Sequence, residues 1–107
     1  MSKTQHYRTL DQVEEEFLRD NPAELDNYIR DLFEDYAEHR SATALLASLR
    51  VVAKVKGMSN IANEIGMTRE GLYKALSSKG NPRFDNINAL MHSFGYQLMP
   101  QKIDYPD

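Results

Sequence analysis

A chain of 107 residues with 41% hydrophobic content has room for one domain with a modest core. It holds no cysteine, which excludes a disulfide framework and thiolate chemistry. No apolar run approaches the roughly 18 residues of a membrane span, and no signal-peptide pattern is present, so a soluble, cytoplasmic protein with no membrane partner is expected. The net charge of −3 conceals a split: residues 1–49 carry five Lys and Arg against eleven Asp and Glu, a net −6, whereas residues 50–99 carry seven against three, a net +4. A basic half suits nucleic-acid phosphates, and an acidic half suits a different partner.

Residues 1–8 show no periodicity and are expected to fray. Thr9 or Asp11 is placed to cap a short helix with Leu10, Val13 and Phe17 on one side. The acidic run Glu14, Glu15 and Glu16 reads as a solvated face. Asn21, Pro22, Ala23 and Glu24 then form a start signal: an Asn cap, proline at the first helical position and a Glu to reach back. The helix from Pro22 to about His39 places Leu25, Tyr28, Ile29, Leu32, Phe33 and Tyr36 in one wide apolar stripe. His39, near its end, reads as a capping side chain. Ser41 opens another helix through Leu45, Leu46, Leu49 and Val52 to about Lys56. Its late Arg50, Lys54 and Lys56 suit the negative end of the dipole and are in reach of DNA. Gly57 stops it.

The stretch from Met58 to Ser77, MSNIANEIGMTREGLYKALS, reads as two short helices joined by a tight turn. Ser59 is placed to cap the first, and Ile61, Ala62 and Ile65 share one face. Gly66 tolerates the left-handed conformation that ends a helix. Thr68 is placed to cap the second helix, with Glu70 in its first turn. Leu72, Ala75 and Leu76 form the inward face. That is the residue pattern of a helix-turn-helix, with small Ala62 where the helices approach and Leu72 plugging the angle between them. Arg69, Glu70, Tyr73, Lys74 and Ser77 then point outward. The N-terminal residues of a recognition helix meet base edges in the major groove, and the fork of Arg69 suits guanine. Tyr73 suits a phosphate or a thymine methyl, while Lys74, Lys79 and Arg83 suit phosphates, which position without reading sequence. Gly71 costs about 1 kcal/mol relative to alanine in a helix interior, and either a close backbone approach or simple tolerance accounts for it.

Residues 78–82, SKGNP, are a loop by composition. A final helix from about Phe84 to Phe94 turns Phe84, Ile87, Leu90, Met91 and Phe94 inward, and Gly95 ends it. Tyr96, Leu98 and Ile103 alternate with polar residues, as a short strand would, until Pro100 breaks the run. Enzymatic chemistry has no candidate. His6, His39 and His92 lack metal-ligand spacing, no Gly-rich phosphate loop is present, and no Ser or His sits in a nucleophile setting. No catalytic residue, metal or cofactor is expected.

With GMSNIANEIGMTREGLYKALS at its centre, followed by the GNPRF loop at Gly80 to Phe84, the run from Arg50 to Met99 resembles the HigA-like antitoxins. These are addiction-module antidote proteins of the Cro/repressor-type helix-turn-helix superfamily. The resemblance covers about half the chain; residues 1–20 lie outside it, and Gly71 stands where the family's usual alanine would be. It implies an all-α bundle with a lambda-repressor-like helix-turn-helix, and a small protein that binds its own operator and neutralises a basic, mRNA-cleaving toxin of the RelE/HigB type. It places DNA contacts at Thr68, Arg69, Tyr73 and Lys74. The expected organisation is an acidic helical extension over residues 1–40, a DNA-binding domain over 41–99 and a tail over 100–107. The expected state is a homodimer, because one short helix reads too few base pairs. A stand-alone phage-type or chromosomal repressor, and an interaction module that has lost DNA binding, are the alternatives left open.

Overall fold

Thr9 sets where the ordered helices begin. Its Oγ1 accepts the backbone N–H of Gln12 at 3.1 Å, while Gln12 Oε1 accepts the backbone N–H of Thr9 at 2.8 Å, a reciprocal capping box. In the computed structural model, which describes residues 8–105, six α-helices follow: α1 (Leu10–Asp20), α2 (Leu25–His39), α3 (Ala42–Lys56), α4 (Met58–Glu64), α5 (Arg69–Ala75) and α6 (Phe84–Ser93). A 3-10 turn, Pro22–Glu24, leads into α2. The fold is all-α, as expected, and no strand occurs among the described residues.

The core is built around α3. Leu49, Val52 and Ala53 lose all exposure there and meet Ile29 and Leu32 of α2, Met58, Ile61 and Ala62 of α4, Leu72 of α5 with Leu76 just after it, Leu90 and Met91 of α6, and Phe94. Each large aliphatic side chain so removed from water contributes about 1.5–3 kcal/mol. Ser41 caps α3 through the backbone N–H of Ala44, at 3.2 Å. Leu18 and Val51 are buried outside this cluster, where α1 packs on α3.

Several local expectations fail, each for an identifiable reason. Asn21 does not cap α2; its side-chain amide donates to the Phe17 carbonyl at 2.9 Å and closes α1 instead. Ser59 does not cap α4, because the helix already begins at Met58 with Gly57 as both its N-cap and the C-cap of α3. The alternating run at Tyr96 and Leu98 forms no strand. Among the described residues no second strand takes its backbone bonds, and the two side chains pack elsewhere: Tyr96 donates its hydroxyl to Asp26 at 2.6 Å, and Leu98 packs against the core. Ile103 stays exposed. The bond to Asp26, then burial, raises the Tyr96 pKa.

Not every residue expected on an inward face is buried. Leu90, Met91 and Phe94 of the last helical stretch are buried and Ile87 packs against them, but Phe84 is 71% exposed at the helix start. Tyr36, near the end of α2, is exposed too. The largest departure is α1. Leu18 is 1% exposed and docks on α3, whereas Leu10, Val13 and Phe17 are 73%, 44% and 53% exposed. The acidic run is no uniformly solvated face: Glu16 is exposed, pairing with Arg8, but Glu14 and Glu15 are half-buried. Glu14 accepts the Tyr28 hydroxyl at 3.1 Å, and burial raises the pKa of that phenol.

Candidate nucleic-acid interface

The interface grows from the turn between α4 and α5. Ala62 is 1% exposed, small enough for the following turn to fold over it, and its carbonyl accepts the N–H of Met67 at 2.8 Å. Gly66 has φ +78°, a left-handed conformation that costs a side-chain-bearing residue energy and glycine none. Thr68 is extended (φ −76°, ψ 155°), and its Oγ1 accepts the Gly71 N–H at 2.9 Å, the expected cap. A Cβ on residue 71 would stand 2.9 Å from that same oxygen, so the glycine keeps the cap uncrowded.

Leu72 and Leu76 anchor α5 in the core, and the edge half a turn around the helix is thereby fixed outward. Thr68, Arg69, Glu70, Tyr73 and Lys74 are all exposed. Arg69, Glu70, Tyr73 and Lys74 line one shared surface depression. Ser77 differs from the expected outward residue: it is half-buried, and its hydroxyl donates to the Lys74 carbonyl at 2.7 Å, closing the end of α5. Lys79, in the loop after α5, and Arg83, the N-cap residue of α6, are exposed but line neither recess that holds α5 side chains. The guanidinium of Arg83 lies 3.7 Å from Asp85. Gly80 lets this loop fold back on α5, since a Cβ there would meet the Ala75 carbonyl oxygen at 2.0 Å.

A second recess joins Arg69 and Tyr73 to Ser59 and Asn60 of α4, Lys54 of α3, and Glu15 and Arg19 of α1. Lys54 Nζ stands 5.2 Å from the Tyr73 ring centroid, a cation–π contact worth about 0.5–1 kcal/mol at such an exposed site. Arg19 pairs with Glu15 at 2.6 Å and donates to the Lys54 carbonyl at 2.8 Å. Three cations, Arg19, Lys54 and Arg69, and one carboxylate, Glu15, therefore line this recess, an arrangement that attracts anions. Arg19, Ser59 and Asn60 have no signature in the linear sequence; only the packing of α1 and α4 around α3 brings them here.

Contrary to the expectation for the end of α3, Arg50 does not reach outward toward a nucleic acid. Its side chain is 17% exposed, one nitrogen donating to the Leu76 carbonyl at 2.6 Å and the other to Asp11 at 2.9 Å. Arg50 thus ties the end of α5 to α1. Among the described residues no cluster of His, Cys, Asp and Glu could hold a metal ion, and no helix is long and apolar enough to cross a membrane.

A family model described as a probable addiction module antidote protein matches residues 9–102. The chain belongs to that family. An uncharacterized protein of Haemophilus influenzae strain Rd is 41% identical over 58 residues, a match spanning 54% of this chain and 60% of that relative. No solved structure matches. The family match reaches well beyond residues 50–99. It begins at the capping residue of α1 and takes in both acidic helices, α1 and α2, together with the pair α4 and α5.

Proposed function

We propose that this antidote protein is a HigA-like antitoxin. In this reading it binds its own operator as a homodimer through a Cro-type helix-turn-helix, represses its operon, and neutralises an mRNA-cleaving toxin of the RelE/HigB type. It acts by binding, not catalysis, and works in the cytoplasm. The observation that supports DNA binding is the outer edge of α5: Arg69, Tyr73 and Lys74 stand exposed beside the capped N-terminus at Thr68, with Lys54 alongside. Leu72 and Leu76 hold that edge rigidly against the core, so it meets a groove already ordered. In this reading Thr68, Arg69 and Glu70 approach bases and backbone first, Tyr73 and Lys74 follow along the groove, and Lys79 and Arg83 touch phosphates farther out. Two copies set their α5 helices about 34 Å apart on successive major grooves.

A gel shift on the protein's own upstream DNA, repeated over a salt series, tests this. Arg69→Ala is expected to cost about 1–3 kcal/mol of operator affinity and to relax preference at one base pair. Lys79→Ala should weaken operator and random DNA alike and lower the salt slope by about one. Equal losses on both DNAs for Arg69→Ala would remove its base-reading role. No binding by the wild type at low salt would remove the repressor reading altogether.

A further inference from the structure

The first helix displays its apolar edge to solvent. Leu10, Val13 and Phe17 fall at i, i+3 and i+7, one continuous line along α1, and all three are exposed while Leu18 holds the helix to α3. Three large apolar side chains in a row on a helix that is already capped and docked lie outside the core, and such a patch with a polar rim marks a partner's seat. The rim here is acidic: Glu16 and Asp20 flank the line on one side and Glu14 on the other. Of the five carboxylates of α1, Asp11, Glu15 and Glu16 are paired with Arg50, Arg19 and Arg8, and Glu14 accepts the Tyr28 hydroxyl, but the half of the chain around the line, residues 1–49, keeps a net charge of −6.

That rim selects the occupant. A nucleic acid or an anionic membrane would be repelled. A second copy laid on the same edge would set carboxylate against carboxylate, which is destabilising across a two-fold axis. A positively charged protein with apolar pockets fits both the line and its border. Resting on the antitoxin reading above, we propose that the Leu10–Val13–Phe17 edge of α1 is where the toxin docks. Phe17 is the central anchor and the surrounding carboxylates meet basic groups on the toxin. The two recognition surfaces are thereby separate: the toxin takes the outer edge of α1, and DNA takes the outer edge of α5.

The test titrates the purified product of the reading frame adjoining this protein's gene into the full chain by calorimetry. Wild type, Val13→Asp, Phe17→Asp and a control, Phe84→Asp, are compared, each checked for an unchanged circular-dichroism melt. Tight, salt-weakened binding is expected for wild type and the control, with at least a 100-fold loss for Phe17→Asp, a similar direction for Val13→Asp, and unchanged affinity for upstream DNA. If the folded Phe17→Asp and Val13→Asp chains bind the product as wild type does, the docking edge is wrong while the antitoxin reading stands. If wild type does not bind it, the antitoxin reading fails and takes the proposal with it. Conversion of a dimer to a monomer by Phe17→Asp would assign the edge to a second copy and overturn the proposal. So would equal melting losses from Phe17→Asp and from deletion of residues 1–7, which would assign it to the chain's own start.

Discussion

Helices α1 and α5 are both amphipathic, and they are mounted in opposite senses. In α5 the apolar edge goes in: Leu72 is buried with Leu76 just beyond it, and Arg69, Glu70, Tyr73 and Lys74 face water. In α1 the edge with more charge goes in. Glu14 meets Tyr28, Asp11 meets Arg50 and Arg19 meets the Lys54 carbonyl, around the one buried apolar side chain, Leu18, while Leu10, Val13 and Phe17 face out. An apolar stripe therefore identifies a helix, but the partner available to it decides which way the helix is turned. For α5 that partner is the core; for α1 it is a ring of polar groups on α2 and α3.

The strongest way to break this contrast lies within α1 itself. Leu18→Ala removes a side chain 1% exposed and is expected to cost about 2–4 kcal/mol in urea unfolding, the range for a truncated core leucine. Phe17→Ala, one residue away and larger in volume, should stay within about 0.5 kcal/mol, as surface substitutions do. Equal losses would mean that α1 turns its whole apolar side inward in solution, and the contrast with α5 would vanish.

How legible each helix was follows from the reach of its contacts. The pair α4 and α5 is written locally: the cap from Thr68 spans three residues, and the Gly66 turn needs no distant partner. The exposed members of the α5 edge were readable for that reason. The face that α1 buries was not, because its partners lie 14 residues away at Tyr28, 35 at Lys54 and 39 at Arg50. Arg50 looked like a free cation at a helix end because nothing near it in sequence announces the Leu76 carbonyl. The Asn21 amide donates back to the Phe17 carbonyl, and the Glu24 N–H it was expected to cap goes to the Asn21 backbone carbonyl instead. The tail at Tyr96 had the alternation of a strand without the neighbouring strand that makes alternation meaningful. Three members of the recess beside Arg69, namely Arg19, Ser59 and Asn60, were hidden in the same way, since they meet only through tertiary packing.

A middle-sized effect sharpens the comparison by testing the tie between the two helices. Arg50→Ala leaves both the Leu76 carbonyl and the Asp11 carboxylate without their shared donor, and charge-assisted bonds of this kind are worth about 1.5–3 kcal/mol. A loss of about 2 kcal/mol in unfolding free energy is expected. Arg50→Lys should recover only part, since a single ammonium does not reproduce a fork that spans two acceptors. Were Arg50 a phosphate contact instead, the alanine variant would unfold like wild type and lose DNA affinity and salt slope; the bond to Leu76 predicts the reverse order of effects.

The smallest effect isolates how the start of α5 is set. Replacing a helical glycine by alanine ordinarily stabilises by up to about 1 kcal/mol. At Gly71 the new methyl would sit 2.9 Å from the Thr68 oxygen that caps the helix, so any gain is offset by a displaced cap, itself worth about 1 kcal/mol. Gly71→Ala alone should therefore leave the melting temperature nearly unchanged. Thr68→Ala alone should lower stability by about 1 kcal/mol. In that background, with no hydroxyl to crowd, Gly71→Ala should recover a large part of the loss, and the two changes should be non-additive by several tenths of a kcal/mol or more. Strict additivity would mean that the Thr68 side chain moves aside freely, in which case glycine at position 71 protects nothing in the folded chain.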